Sequence, residues 1–187
     1  MRDAVIVDAV RTPIGKGRAT GALHNVHPAD LLARSITALV ERTGIDPVTV
    51  DDVIAGCVTQ TGEQALNIGR TALLAAGFPD SVAATTVDRQ CGSSQQAVHF
   101  AAHTIIAGGY DIAIACGVES MSRVPMGSDT PDGTDVYGPL FDARYIDGIP
   151  HQGVGAELIA AKWDFSRQQL DEFALWSHEK AHAATTA

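Results

Sequence analysis

Hydrophobic and polar positions alternate between two rhythms along the first 120 residues of this 187-residue chain. Residues 4–10 form an apolar run with little alternation, which predicts a strand covered on both faces. A polar loop over residues 11–17 and a looser stretch to Val26 follow. Pro28 is placed to open a helix through Leu31, Leu32, Ile36, Leu39 and Val40, closed near Gly44. Residues 53–58 read as a second strand, and residues 65–76 as a second helix ended by Gly77 and Pro79. Residues 83–87 read as a short buried strand. Ala97, Val98, Ala101, Ala102, Ile105 and Ile106 then recur at helical spacing until Gly108-Gly109, and residues 110–116 give a fourth strand. Strands alternating with helices predict an α/β fold with a largely parallel sheet.

After Ser120 the texture changes. Residues 121–150 carry four of the eight prolines, several Asp and Gly, and little periodicity, so they read as an excursion from the core. A helical pattern returns from Gly153 in Ala156, Leu158, Ile159 and Ala160. Ser166 is placed to cap a longer helix through Leu170, Phe173, Ala174, Trp176 and Ser177. This divides the chain into a core domain, residues 1–120, and a second domain, residues 121–187. The chain stops five residues past His182, before a complete fold is expected.

Composition sharpens the picture modestly. Apolar residues make up 45% and aromatics 5%, with abundant Gly, a profile of tightly packed α/β proteins. A net charge of −9 without any basic run argues against a nucleic-acid partner. An anionic ligand stays open, because a helix N-terminus can hold one locally. The apolar run at the N-terminus is too short for a signal peptide and is broken by Asp8; no segment reaches membrane-spanning length. The expectation is a soluble cytoplasmic protein.

Chemistry centres on Cys91, in the segment Val87-Asp88-Arg89-Gln90-Cys91-Gly92-Ser93-Ser94-Gln95-Gln96-Ala97. A strand stops and a helix starts there, which puts a thiol at or near a helix N-terminus, where free N–H groups and the dipole favour a thiolate. A lone cysteine is ordinarily a small core residue. Gly92 and two serines, which invite close approach of backbone or ligand, favour the nucleophile. Cys57 and Cys116, in apolar strands, read as core; three cysteines without close spacing argue against a disulfide framework or zinc site.

Other constellations weigh less. His178-Glu179-Lys180-Ala181-His182 spells the zinc-protease helix motif, but no third ligand follows in the last five residues, so a solvated helix face is the better reading. His99 and His103 share one side of the Cys91 helix, two and three turns from the thiol, too far to act on it directly. Gly15-Lys16-Gly17 lacks the spacing of a phosphate loop, and Asp129, Asp132, Asp135 and Asp142 form no calcium-loop pattern. No metal site is expected.

Taken in order, several segments resemble the thiolase family: Arg11-Thr12-Pro13-Ile14-Gly15-Lys16, the Cys91 segment, Gly109-Tyr110-Asp111 through Gly117-Val118-Glu119-Ser120-Met121-Ser122, His151-Gln152-Gly153-Val154-Gly155-Ala156-Glu157, and the stretch from Ser166 to Ala174. The resemblance implies the first of two similar family halves plus an incomplete loop domain, with a mixed, mostly parallel sheet and helices on both faces. It implies acyl-CoA thioesters and CoA as substrates, no metal or redox cofactor, and Cys91 as the carrier of a covalent acyl group. His151, with its neighbour Gln152, would lie near bound substrate. Homodimers or homotetramers are the family's assemblies.

The sequence departs from the family pattern at Asp88, where Asn is frequent, at Ser94, where Gly is common, at Gln95, where an apolar residue is usual, and at Gln152, where several relatives have Met. These changes put acyl chain length in doubt. In the family the second half supplies the His that activates the nucleophile, a second Cys and the oxyanion site. The chain alone is therefore expected to be inactive or a poor catalyst, with a second chain as a possible source of the missing half. A ketoacyl-synthase-like condensing enzyme and a non-catalytic assembly subunit remain as alternatives.

Overall fold

Pro28, with its ring fixing φ and no N–H to leave unpaired, opens helix α1 (Pro28–Thr43), and Gly44 closes it at φ 65°. The computed structural model describes residues 2–187. Strand β1 (Asp52–Gly56) follows, then α2 (Ile68–Ala75), β2 (Ala83–Val87), α3 (Ser93–Ala107) and β3 (Ala113–Gly117). The three strands are parallel in the order β2-β1-β3, with Ile54 opposite both Thr85 and Ala115.

The central strand explains the layering. Val53 and Ala55 point to one face, where they pack with Leu32, Ile36, Leu73, Phe78 and Val82 of and around α1 and α2. Ile54 points to the other and meets Ala97 and Ala101 of α3. The chain passes from β1 to β2 through α2, then back across β1 to β3 through α3 on the opposite face. The C-terminal ends of the strands therefore meet at a point where the connections diverge, the usual location of sites in open α/β sheets.

Several elements differ from the sequence expectation. Residues 4–10 form no strand: Val5, Ile6 and Val7 are 75%, 82% and 81% exposed. An apolar strand needs a ladder partner and two covering faces, and the described residues offer this one neither; side-chain ion pairs from Arg2 to Asp111 and from Arg42 to Asp8 are its ties. The second helix starts at Ile68, not residue 65, because Leu66 and Asn67 adopt φ of 57° and 60° and Asn67 caps it by accepting the Arg70 N–H. Strand β3 starts at Ala113, since the Asp51 carboxylate takes the N–H groups of Asp111 and Ile112. Those two bonds hold the Asp51 carboxyl below its ordinary pKa. Strand β2 is half-exposed, and α3 buries a stripe of Ser93, Gln96, Ala97 and Ala101, leaving Val98 in solvent.

The chain parts into two compact units, one ending at Thr134 and the other Asp135–Ala187. The second unit holds α4 (Pro139–Arg144), a short helix inside the expected excursion, then α5 (Gln152–Lys162) and α6 (Arg167–Thr186). Ser166 caps α6 through a capping box with Gln169. Among the described residues no helix is long and apolar enough to cross a membrane.

Candidate active site

Strand β2 ends at Val87, and the five residues before α3 fold into two interlocked turns. The Gly92 N–H bonds to the Arg89 carbonyl and the Ser93 N–H to the Gln90 carbonyl, each at 3.0 Å. Gln90 takes φ 47°, a left-handed conformation that costs a non-glycine residue about 1–2 kcal/mol. Cys91 is the next residue. It is exposed, and its sulfur has no hydrogen-bond partner among the described residues. Gly92 is the N-cap of α3, without a side chain to cap it, and the N–H groups of Ser94 and Gln95 find no backbone acceptor. The thiol thus stands beside an uncapped helix N-terminus at the C-terminal edge of the sheet, an arrangement able to attract and hold developing negative charge.

Small residues bring α3 this close. A methyl group on Gly56, the last residue of β1, would sit 2.3 Å from the Ser94 nitrogen, and one on Gly117, the last of β3, 1.9 Å from the Ser94 hydroxyl oxygen. Both strand ends are thus packed directly on the first turn of the helix. Ser94 faces these glycines.

Beside this turn lies a polar network that sequence reasoning overlooked. The Glu119 carboxylate accepts the N–H groups of Val58 and Thr59 at 2.8 and 3.3 Å and the Gln64 amide at 2.8 Å. Gln64 is wholly buried; its oxygen takes the Ser120 N–H at 2.7 Å. The network ties the loop after β1 to the exit of β3. The signal was a Gln and a Glu in otherwise apolar surroundings, but nothing in their spacing joins them. We predict that Glu119→Ala lowers stability by about 3 kcal/mol, because three donors lose one charged acceptor. Gln64→Leu should cost a similar amount, and the double variant less than the sum, as measured by urea denaturation.

Cys57 and Cys116 behave as core thiols. Burial, reinforced for Cys57 by Glu119 and Asp88, raises both from 9.0 to about 12. A raised thiol pKa stabilises the fold fully below the unfolded value and loses that stabilisation as pH climbs through the folded one. Between about pH 9 and about 12 the protein should therefore lose stability at up to about 1.4 kcal/mol per pH unit per thiol. The double variant Cys57→Ala/Cys116→Ala should show a flatter alkaline unfolding curve, whatever its stability at neutral pH.

The remaining predicted groups fall elsewhere. His151 is exposed and caps α5, its Nδ1 accepting the Gly153 N–H at 3.3 Å; Gln152 is the first residue of that helix, also exposed. Both belong to the second unit and Cys91 to the first. His99 and His103 stack on each other, ring centres 6.2 Å apart, on the exposed face of α3. His178 and His182 are exposed on α6, and among the described residues no group of three or more His, Cys, Asp or Glu is placed to hold a metal ion.

Comparison with known proteins places this geometry. A steroid 3-ketoacyl-CoA thiolase of Mycobacterium tuberculosis is 47% identical over 195 residues, an alignment covering 100% of this chain and 47% of that protein. A 3-ketoacyl-CoA thiolase of Photobacterium profundum is 44% identical over 186 residues, covering 99% and 46%. The crystal structure of the Bacillus anthracis acetyl-CoA acetyltransferase superposes with a TM-score of 0.80 at 38% identity, over 100% of this chain and 48% of that one. The chain thus spans about half the length of these relatives. The family model of the thiolase N-terminal domain matches residues 4–187, and with it the turn around Cys91, the glycine-lined strand ends and the sheet find their common explanation: this chain belongs to the thiolase family.

Proposed function

We propose that this chain carries the nucleophile of a thiolase-type acyltransferase acting on CoA thioesters, with Cys91 as the acyl carrier. The observation that supports it most directly is the exposed thiol on a strained turn, next to free N–H groups, at the C-terminal edge of a parallel sheet. The names of the relatives point to 3-ketoacyl-CoA or acetyl-CoA chemistry.

In the cleavage direction the Cys91 thiolate adds to the keto carbonyl of a 3-ketoacyl-CoA. The bond between the α and β carbons then breaks; its electron pair leaves with the α carbon, which takes a proton and departs as acetyl-CoA. The remaining acyl group stays on the sulfur as a thioester until a CoA thiolate removes it and frees Cys91. Protonating the carbanion and activating the thiol need an acid–base pair, and no imidazole is hydrogen-bonded to Cys91 among the described residues.

On this reading residues 1–120 are the catalytic core domain and residues 121–187 the start of a loop domain, where His151 and Gln152 contact the substrate. The enzyme is a cytoplasmic homodimer or homotetramer without a metal or redox cofactor. The chain alone lacks groups needed for turnover, which residues outside this sequence or a second chain supply.

Intact mass spectrometry after incubation with acetoacetyl-CoA tests the assignment. The expected result is one acetyl group per chain, mapped to the Cys91 peptide, without sustained release of acetyl-CoA. An acetyl group mapped elsewhere, or none while Cys91 is freely alkylated by iodoacetamide, would overturn the acyl-carrier role for this chain.

A further inference from the structure

We propose that Asp88 is the positioning residue for Cys91, holding the thiol against the first turn of α3 by fixing the left-handed backbone of Gln90. The proposal deepens the acyl-carrier reading and rests on it for its functional meaning. Asp88 directly follows the last residue of β2, and its Oδ1 accepts the Gln90 N–H at 2.7 Å. Gln90, the left-handed residue at φ 47°, immediately precedes Cys91 and so sets the direction in which the chain enters it. From the other end, the buried Ser93 hydroxyl accepts the Arg89 N–H at 2.9 Å and donates to the Gln90 carbonyl at 2.6 Å, with Asp88 Oδ1 3.4 Å away. Side chains from both ends of the turn thus hold the peptide groups on either side of Gln90, the one residue of the turn whose backbone conformation is unfavourable.

The charge of Asp88 cannot be the reason for its presence, because a carboxylate near a sulfur opposes the thiolate. Its value lies in acceptance. A carboxylate binds an N–H more tightly than a neutral oxygen does, which suits a turn that must be held against its own preference. An amide oxygen in the same place would accept the same bond less strongly. The other charged and titratable groups around the turn are Arg89, whose guanidinium is engaged by Gln96, and Cys57 and Glu119 from the ends of β1 and β3. None of them hydrogen-bonds the Gln90 N–H.

The test is the rate of Cys91 alkylation by iodoacetamide, followed by peptide mass spectrometry on the whole chain, for wild type, Asp88→Asn and Asp88→Ala. The two variants remove the same charge, but Asp88→Asn keeps an acceptor. At neutral pH, Asp88→Ala should react about tenfold more slowly than Asp88→Asn, the loss of one hydrogen bond to a strained unit. In strong alkali, where exposed thiols are ionised regardless, the two should converge. Equal acceleration of both variants would mean that Asp88 acts through its charge alone, and unchanged rates would mean a purely structural role; either overturns the proposal. Should Asp88→Ala not fold, Asp88→Ser, an uncharged side chain able to accept the same N–H, should match Asp88→Asn. Its failing to do so would equally overturn the proposal. Because alkylation needs no thioester, it separates the two ideas: a positioning effect without any acetyl adduct removes the acyl-carrier reading and leaves Asp88 in place.

Discussion

Cys91→Ala is expected to abolish acetyl transfer from acetoacetyl-CoA to this chain, whereas Cys57→Ala and Cys116→Ala should leave the adduct in full yield. The contrast follows from where the three thiols sit. Cys57 is 1% exposed and Cys116 lies within the sheet, its sulfur 3.7 Å from the Ile54 carbonyl; both are held at about 12. At neutral pH a thiol with that pKa is ionised in about one molecule in 10⁵. It is also out of reach of a thioester. Cys91 alone combines exposure with a helix N-terminus, so no second sulfur can take over when it is lost. The expected loss is at least about 10⁴-fold in the rate of adduct formation, the scale on which removing a covalent nucleophile is felt. Intact mass spectra of the three variants decide it, and adduct on Cys91→Ala at more than a small fraction of the wild-type rate would show that the nucleophile lies elsewhere.

Much of this site could be read from the sequence because it follows from local rules. A β-branched run, a Cys-Gly-Ser-Ser break and a helical apolar pattern are enough to put Cys91 at a helix N-terminus, and Pro28, Gly44, Ser166 and Gly108 mark helix ends by conformational preferences of single residues. What escaped depends on contacts between distant segments. The Glu119–Gln64 network spans 55 residues and has no periodicity to announce it. Residues 4–10 have the composition of a buried strand, yet composition cannot supply a ladder partner, and Val5, Ile6 and Val7 stand in solvent. The left-handed Gln90 also went unread, since glutamine carries no preference for positive φ. Only the side chains of Asp88 and Ser93 reveal why the backbone turns there.

Gly56→Ala is the second change with a large expected effect, because it breaks the link between the sheet and the Cys91 turn rather than either alone. A methyl group there collides with the backbone of the Ser93–Ser94 peptide, 2.3 Å from the Ser94 nitrogen, 2.5 Å from the Ser93 carbonyl carbon and 2.7 Å from the Ser94 Cα. A side chain could rotate away; a helix terminus can only move. Lifting the first turn of α3 by about 1 Å costs packing against Ile54 and strains the Ser93 hydroxyl bonds, a loss of about 3 kcal/mol at the upper end of overpacking effects. The same displacement carries Cys91 with it, and a misplacement of that size lowers the acylation rate on the order of 100-fold. Gly117→Ala should behave differently. Its methyl group collides first with the Ser94 hydroxyl at 1.9 Å, and next with the Gly56 carbonyl at 2.7 Å. Adding Ser94→Gly should therefore restore part of the stability lost in Gly117→Ala and none of that lost in Gly56→Ala. Urea denaturation of the two double variants measures the difference. Equal rescue of both would mean that the serine side chain, and not the helix backbone, sets how closely α3 approaches the sheet.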